Sequence, residues 1–588
     1  MTGNSIALST RSKRPKLEIP FDLYKKKSIQ VSATQLFNYM IKDPLVDWLS
    51  LSKNNHTCNA LSTTNKFTDF IMKRGIEFED KLVKYINNNV LSVVSVSNYI
   101  TNDSLNKTKE LMRNGVPLIH SAPVRNSKNN THGIIDLLVR SDYINKLVDV
   151  NPLSDSEIKS GNGNFYYIVI DIKFSTLPFR ADGIHLLNSG NYPAYKSQCL
   201  IYTDAVGQIQ GYTSPYAFIM GRRWKYTQLG ISKHNYSCLN RLGRIDYSGI
   251  DNEYKTRTKS AIQWIRDVKT KGNMWNINPP SRYELYPNMC IDSGIWNAEK
   301  EKISDNIGEI TSIWNVGLSH RNTAMEKHIV SWKDERCTSE LLGIKGKRAV
   351  IIDAIMNINR QNEYLIYPSR IKSNMYNWKK ESNELYVDFE TISDIFADFD
   401  HLPKQNCCDM IFMIGIGRKV NGKFVYTNFI CEELTYHEEY RIMEEFVNFI
   451  RKNGNPKLFY WVAESSIWNT AVQRQMNKFP EHDLGNKFSI DTWSDLSQLF
   501  QEEPIVIKNC FKFGLKAIAS AMRKHGMIST LIESNCNNGM TAMVSAWKTY
   551  DNFSDPVNSD EMKDISKYNE FDCKVLWEIL SYLRKNHV

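Results

Sequence analysis

The sequence predicts an α/β protein of several domains, and three observations predict it. At 588 residues the chain is too long for one hydrophobic core, so two to four domains are expected. Its 42% hydrophobic and 11% aromatic content is that of a globular protein, with enough apolar material for a core in each domain. Twice along the chain, short apolar β-prone runs are followed by stretches with helical periodicity, the order expected of sheets with helices packed around them.

The first thirty residues read as a basic leader, with "RSKRPK" and "KKK" free to attract phosphates or serve as a nuclear address. A first domain is expected over 31–245. "SATQLFNYMIKDPLVDWL" predicts a helix capped by Ser32, and "FTDFIMKRGIEFEDKLVKYI" a second helix. "THGIIDLLVR" and "FYYIVIDIKFS" read as strands, "YPAYKSQCLIYTDAVG" as a helix and "YAFIMGRRWKY" as a further strand. A mostly helical connector is expected over 246–380, with a short strand in "RAVIIDAI". The last domain, 381–588, opens on the strand "ELYVDFETI". Strands follow at "MIFMIGIGRKV" and "KFVYTNFI", then a helix at "YHEEYRIMEEFVNFIRK" and a strand at "PKLFYWVAE". Helices follow to "ISKYNEFDCKVLWEILSYLRK".

Composition excludes several classes. The net charge of +10 permits a polyanionic partner without requiring one. The eleven cysteines contain no C-x-x-C and no zinc-finger spacing, so neither zinc nor an iron–sulfur cluster is expected. No G-x-x-x-x-G-K-[ST] occurs ("GIKGKR" is not one), so no ATP site is expected. The N-terminus lacks an apolar signal core and no run approaches membrane-spanning length. An intracellular protein with reduced thiols is expected, with nucleus, cytoplasm and viral factory all open and no membrane partner.

Two constellations carry chemistry. In "IVIDIKFS", Asp171 and Lys173 share one strand face, because strand side chains alternate. Asp136 follows "HGII" on the preceding strand, and Glu79 ends Gly75-Ile-Glu-Phe-Glu79 on the earlier helix. Three acids and a lysine on adjacent elements suit a Mg²⁺ site that hydrolyses phosphodiesters. Gln198 and Tyr202, four apart, share a helix face. In "LYVDFETISD", Asp388 and Glu390 likewise share a strand face. Two like charges so close repel unless a cation lies between them. Downstream, "KYNEFDCKVLWEIL" places Tyr568 and Asp572 four apart on a helix. A two-metal site needs about four carboxylates. Glu464, just past a strand in "LFYWVAESSIWN", is the favoured fourth, with Asp491 and Asp495 in "SIDTWSDLSQLF" as alternatives.

G-x-x-F-E, G-x-x-D, a strand with D-x-K and then Q-x-x-x-Y, in that order, resemble the RecB-type branch of the PD-(D/E)XK nucleases. V-D-F-E-T followed by Y-x-x-x-D resembles the tyrosine subclass of the DEDD 3′–5′ exonucleases. The tandem resembles predicted RecB-family nucleases of microbes and large DNA viruses. The resemblance implies a restriction-endonuclease-like first domain and an RNase H-like last domain with a mixed central sheet. It implies Glu79, Asp136 and Asp171 as metal ligands with Lys173 catalytic, and Gln198 and Tyr202 positioning the nucleic-acid backbone or the site. In the last domain it implies Asp388, Glu390, Glu464 and Asp572 around Mg²⁺ or Mn²⁺, with Tyr568 orienting water. Lys508 and Lys516, the latter in "FKFGLKAIA", would contact phosphates or be merely solvated. In the connector, "EITSIWNVGLSHRNTAMEKHIVSWKD" is most simply an αα-hairpin, and a helix–hairpin–helix there would use His320 and Arg321. The implied partner is nucleic acid, DNA before RNA, with a helicase supplied in trans. A nucleic-acid-binding scaffold with degenerate sites, and an RNA-trimming exonuclease, are the competing expectations.

Overall fold

The computed structural model describes residues 29–52, 66–161, 163–405, 409–480, 483–536 and 538–588. Most of the basic leader, with Cys58, Cys407 and Cys408, lies outside them. The architecture is mixed α/β, with one large sheet in each half of the chain and a two-stranded sheet of Ile366–Tyr367 with Val506–Ile507 in the second.

The first sheet runs in the order Val94–Ser95, Leu118–Asn126, Thr131–Arg140, Tyr167–Pro178, Tyr216–Gln228, Ile231–Asn235. The central strands Thr131–Arg140 and Tyr167–Pro178 are antiparallel, and Tyr167–Pro178 runs parallel to Tyr216–Gln228. The helix Tyr192–Gln210 supplies the crossover between that parallel pair, as a parallel connection demands. It is buried along most of its length, and its Ile201 and Ala205 lie in the main core with Val169. The opposite sheet face, with Ile168, Ile170 and Ile172, packs on Phe78, Leu82 and Ile86 of the helix Lys66–Asn89.

The second sheet has the order Lys423–Ile430, Met410–Val420, Glu384–Ile392, Lys457–Tyr460, Trp493–Asp495. In sequence terms this is 3-2-1-4-5. The first three strands are antiparallel, and the last two are parallel to the first. The amphipathic helix Tyr436–Lys452 buries Ile442, Met443 and Phe446 on one side of it, and the 27-residue helix Asp560–Asn586 packs across the first two strands.

Several expected elements differ. "RAVIIDAI" is not a strand but the start of the helix Lys347–Arg360, whose Ile351, Ile352 and Ile355 repeat at helical spacing. Ser32 precedes a helix as expected, its N–H donating to Gln35 Oε1 at 3.0 Å, but Pro44 splits the element into Phe37–Met40 and Leu45–Ser52. The first limb of the expected connector hairpin is only the short 3₁₀ turn Ile310–Ser312, and Leu318–Glu326 is its single true helix. Nor is the connector a unit of its own. Ile262, Trp264, Leu285 and Ile303 join the first domain's core, whereas Ile351, Ile355 and Trp378 join Leu499, Phe513 and Leu576 of the last. The strands Leu118–Asn126 and Trp493–Asp495 were not expected: His, Ser and Pro interrupt the first, and the second is three residues long.

Candidate functional site

Asp136 and Asp171 meet because their strands pair with Leu137 opposite Ile170, so one step further the two acids are neighbours. Their carboxyls hydrogen-bond each other, and Asp136 Oδ2 also accepts the Ile172 N–H at 2.7 Å. Lys173 Nζ lies 2.6 Å from Asp171 Oδ2, and Gln198 Nε2 donates to Asp171 Oδ1 at 3.1 Å. Gln198 also donates to the Tyr202 hydroxyl at 3.0 Å. Burial and then Asp171 push Asp136 well above the usual carboxylate range, and Asp171 rises for the first of these reasons. Burial works against the charge on Lys173, but Asp171 and Asp136 outweigh it and raise its pKa. The glycine of "HGII" has a steric cause: a Cβ on Gly133 would stand 2.4 Å from the Tyr202 ring. Gly75 has open space around it and no such cause.

Glu79 reaches this cluster from the helix Lys66–Asn89, with its Oε1 3.3 Å from His120 Nε2. His120 in turn meets Ser95 Oγ through Nδ1 at 2.9 Å. Sequence reasoning missed His120 because it lies in the interrupted strand that was not expected. A lone histidine carries no spacing signal.

The second cluster is built from four chain segments. Asp388 and Glu390 lie on the central strand, which is paired on both sides. Asp572 and Tyr568 come from the helix Asp560–Asn586, and Glu464 is the first residue of the helix Glu464–Lys478. Lys516 Nζ contacts the Tyr568 hydroxyl, lies 3.9 Å from that ring's centroid and 3.9 Å from Asp572 Oδ2. Burial, then Asp572, Glu390 and Glu464 together raise Asp388 well above the carboxylate range. Burial and Asp572 push Glu390 up to about 8, burial pushes Glu464 up to about 8, and burial raises Asp572 to about 6 against the pull of Lys516. Burial is the first cause in each, and at Asp388 the other three acids add their repulsion to it.

Glu464 and Asp495 take different parts. Glu464 acts electrostatically on both Asp388 and Glu390. Asp495 Oδ1 accepts from Ser497 N–H at 2.9 Å, capping the helix Leu496–Glu502, and from Val462 N–H at 3.1 Å. Val462 has φ +77°, a strained conformation for a β-branched residue, two positions before Glu464. Asp495 therefore holds the turn that presents Glu464. Asp491 is exposed in a loop.

The donors fit a hard divalent cation: they are carboxylates, and Asp572 Oδ1 is buried with no hydrogen-bond partner. Among the described residues no group of three His, Cys, Asp or Glu side chains is arranged to hold a metal ion.

Three other sequence-derived contacts fall elsewhere. Arg321 is buried, 3.2 Å from Glu309 Oε1, and donates to Pro287 O at 3.0 Å, so it cannot meet a phosphate from this position. His320 Nδ1 accepts the Gly317 N–H at 3.0 Å and closes the start of its own helix. Lys508 Nζ is held by Gln361 O and by Asn362 Oδ1 at 2.6 Å. Lys516, in contrast, is part of the second cluster. Asn569 belongs there too and was missed: it is fully buried, with Nδ2 2.7 Å from Asp388 Oδ2.

No protein-family model, curated protein or solved structure matches this chain. No helix among the described residues is long and apolar enough to cross a membrane.

Proposed function

We propose that the protein is a divalent-metal-dependent nuclease with two sites, a PD-(D/E)XK-type site at Glu79, Asp136, Asp171 and Lys173, and a DEDD-type 3′–5′ exonuclease site at Asp388, Glu390, Glu464 and Asp572 with Tyr568. One observation carries it: four largely buried carboxylates from separate segments of a 3-2-1-4-5 sheet domain lie near enough that three of them act on the fourth, Asp388, with Lys516 on Tyr568 and beside Asp572. A fold does not choose to bury like charges together for stability, because each raises the cost of the others. The RNase H-like reading accords with that strand order, and the order of motifs in the first domain accords with the RecB-type reading.

Mg²⁺ or Mn²⁺ bound there would polarise the phosphodiester and acidify an attacking water. Lys173 then offers a fixed positive charge beside Asp171, suited to a phosphate oxygen or to orienting water. In the second site Lys516 steadies the Tyr568 hydroxyl, which is thereby available to orient a nucleophile. DNA is preferred to RNA on resemblance alone.

The test uses end-labelled single- and double-stranded DNA and RNA with Mg²⁺ or Mn²⁺, comparing wild type with Asp171→Ala, Asp388→Ala and the double variant. Each single variant should remove one activity and the double variant all cleavage. Binding without cleavage by the wild type would replace this reading with a nucleic-acid-binding scaffold.

A further inference from the structure

We propose that Asn569 is the positioning residue of the second site, and that Tyr426 in turn positions Asn569. The inference rests on the metal-site reading above and adds to it how the two strand acids are held. The Asn569 amide nitrogen donates to Asp388 Oδ2 at 2.7 Å, to the Asp388 carbonyl at 3.2 Å and toward Glu390 Oε1 at 3.4 Å. Its carbonyl oxygen accepts from the Tyr426 hydroxyl at 2.8 Å. That hydroxyl fixes which way the amide faces, since the reverse orientation would turn the amide oxygen onto two carboxylates.

The surroundings are shaped for this side chain. Gly415 sits directly across from Asp388 in the antiparallel ladder, and a Cβ there would come 1.6 Å from the Asn569 amide oxygen. No side chain fits at 415 while Asn569 reaches over the strand. Asn569, Tyr568 and Asp572 fall within five residues of one helix. A single turn of helix thus presents the water-orienting tyrosine, one ligand and the amide that sets two others.

The chemistry explains why an amide stands here. Asp388 and Glu390 repel, and a donor shared between them lowers that cost. A lysine would do so more strongly but would neutralise the charge that attracts a cation. The neutral amide engages Oδ2 of Asp388 and Oε1 of Glu390, which leaves Oδ1 and Oε2 for a metal. Supporting side chains of this kind orient ligands before the metal arrives, and their loss typically lowers metal affinity about 10–100-fold.

The test is made in full-length Asp171→Ala protein, so that the first site does not contribute. Mn²⁺ binding is measured by isothermal titration, and the Mn²⁺ concentration giving half-maximal exonuclease rate is measured alongside it. Asn569→Leu should weaken binding by about tenfold or more and raise the half-maximal Mn²⁺ equally, with kcat largely restored at saturating Mn²⁺. Tyr426→Phe, a gentler change that keeps the ring, should move both quantities the same way by a smaller factor. Should Asn569→Leu fail to fold, Tyr426→Phe decides alone. Unchanged Mn²⁺ affinity in a folded Asn569→Leu, or in Tyr426→Phe when it decides alone, overturns the proposal. Absence of any Mn²⁺ isotherm in the Asp171→Ala parent overturns the metal reading itself, and this inference with it.

Discussion

Arg222 and Asp394 form an ion pair at 2.6 Å that joins the two halves of the chain. Asp394 lies four residues beyond Glu390, in the short 3₁₀ turn Asp394–Phe396 that follows the strand of the second site, and Arg222 follows Gly221, the ladder neighbour of Lys173 in the first. Arg223 contacts the same carboxylate, and Arg222 also donates to the Asp394 carbonyl at 2.8 Å. The segment then continues across the first domain. Phe399 packs on Phe78 and Phe174, the Arg74 guanidinium lies 4.1 Å from the Phe399 ring centroid, and Cys238 N–H donates to Pro403 O at 2.9 Å. The helix that carries Glu79 is thus packed from both sides.

Asp394→Ala should therefore destabilise the whole chain. It removes the carboxylate that the buried Arg222 shares with Arg223, and breaking a buried pair in this way costs about 3–5 kcal/mol. Thermal unfolding and limited proteolysis within 394–405 check this. A wild-type melting profile would mean that the clamp is not a stabilising contact.

Glu464 and Asp495 should separate cleanly. Glu464→Gln should lower exonuclease activity by more than about a hundredfold, beyond what loss of an outer-shell partner causes, while melting stays close to wild type. Asp495→Asn should act chiefly on stability, since its Oδ1 accepts the Val462 and Ser497 N–H groups. Equal catalytic losses in both variants would return Asp495 to the ligand set.

These two residues also show what the sequence made legible. Spacing on one element was readable: D-x-K, D-x-E and Y-x-x-x-D each follow from strand or helix periodicity, and the strands carrying the first two form as expected. Convergence between elements was not. Whether Glu464 or Asp495 faces Asp388 depends on a turn with a strained Val462, which no residue pattern announces. Asn569 was hidden because a lone asparagine in a helix signals nothing until Gly415 is seen beneath it. Lys508 and Arg321 show the converse, since a basic residue in sequence is a phosphate contact only if its own fold has not already engaged it.

Removal of divalent metal should make stability fall as pH rises. Glu390 and Glu464 are raised by burial to about 8 from an ordinary 4.5, and Asp572 to about 6 from 3.8. In that window the folded chain holds protons that the unfolded chain has released, so unfolding free energy declines with pH and the contribution is lost through pH 8. In EDTA the melting temperature should drop between pH 6 and 8.5, and the drop should shrink in the Glu390→Gln, Glu464→Gln double variant. Added Mn²⁺ should restore more stability at pH 8 than at pH 6, because it competes with those protons. An identical slope in the double variant would place the pH dependence elsewhere.

Arg321→Ala should unfold the connector's contact with the first domain rather than weaken nucleic-acid binding. The guanidinium is buried beside Glu309, a carboxylate raised by burial and held in place by Arg321 and by Thr311, whose N–H donates to Glu309 Oε1 at 3.1 Å. Arg321 also bridges to the carbonyl of Pro287, at the start of the stretch whose Asn288 amide donates to Lys42 O at 3.0 Å. Truncation leaves Glu309 buried with its Thr311 hydrogen bonds but without its cation, and breaking a buried pair costs about 3–5 kcal/mol. The expected result is a lower melting temperature together with an unchanged salt slope for DNA binding, since a residue that touches no phosphate releases no counterion. A shallower salt slope in a folded Arg321→Ala protein would show instead that the arginine leaves Glu309 to grip the backbone.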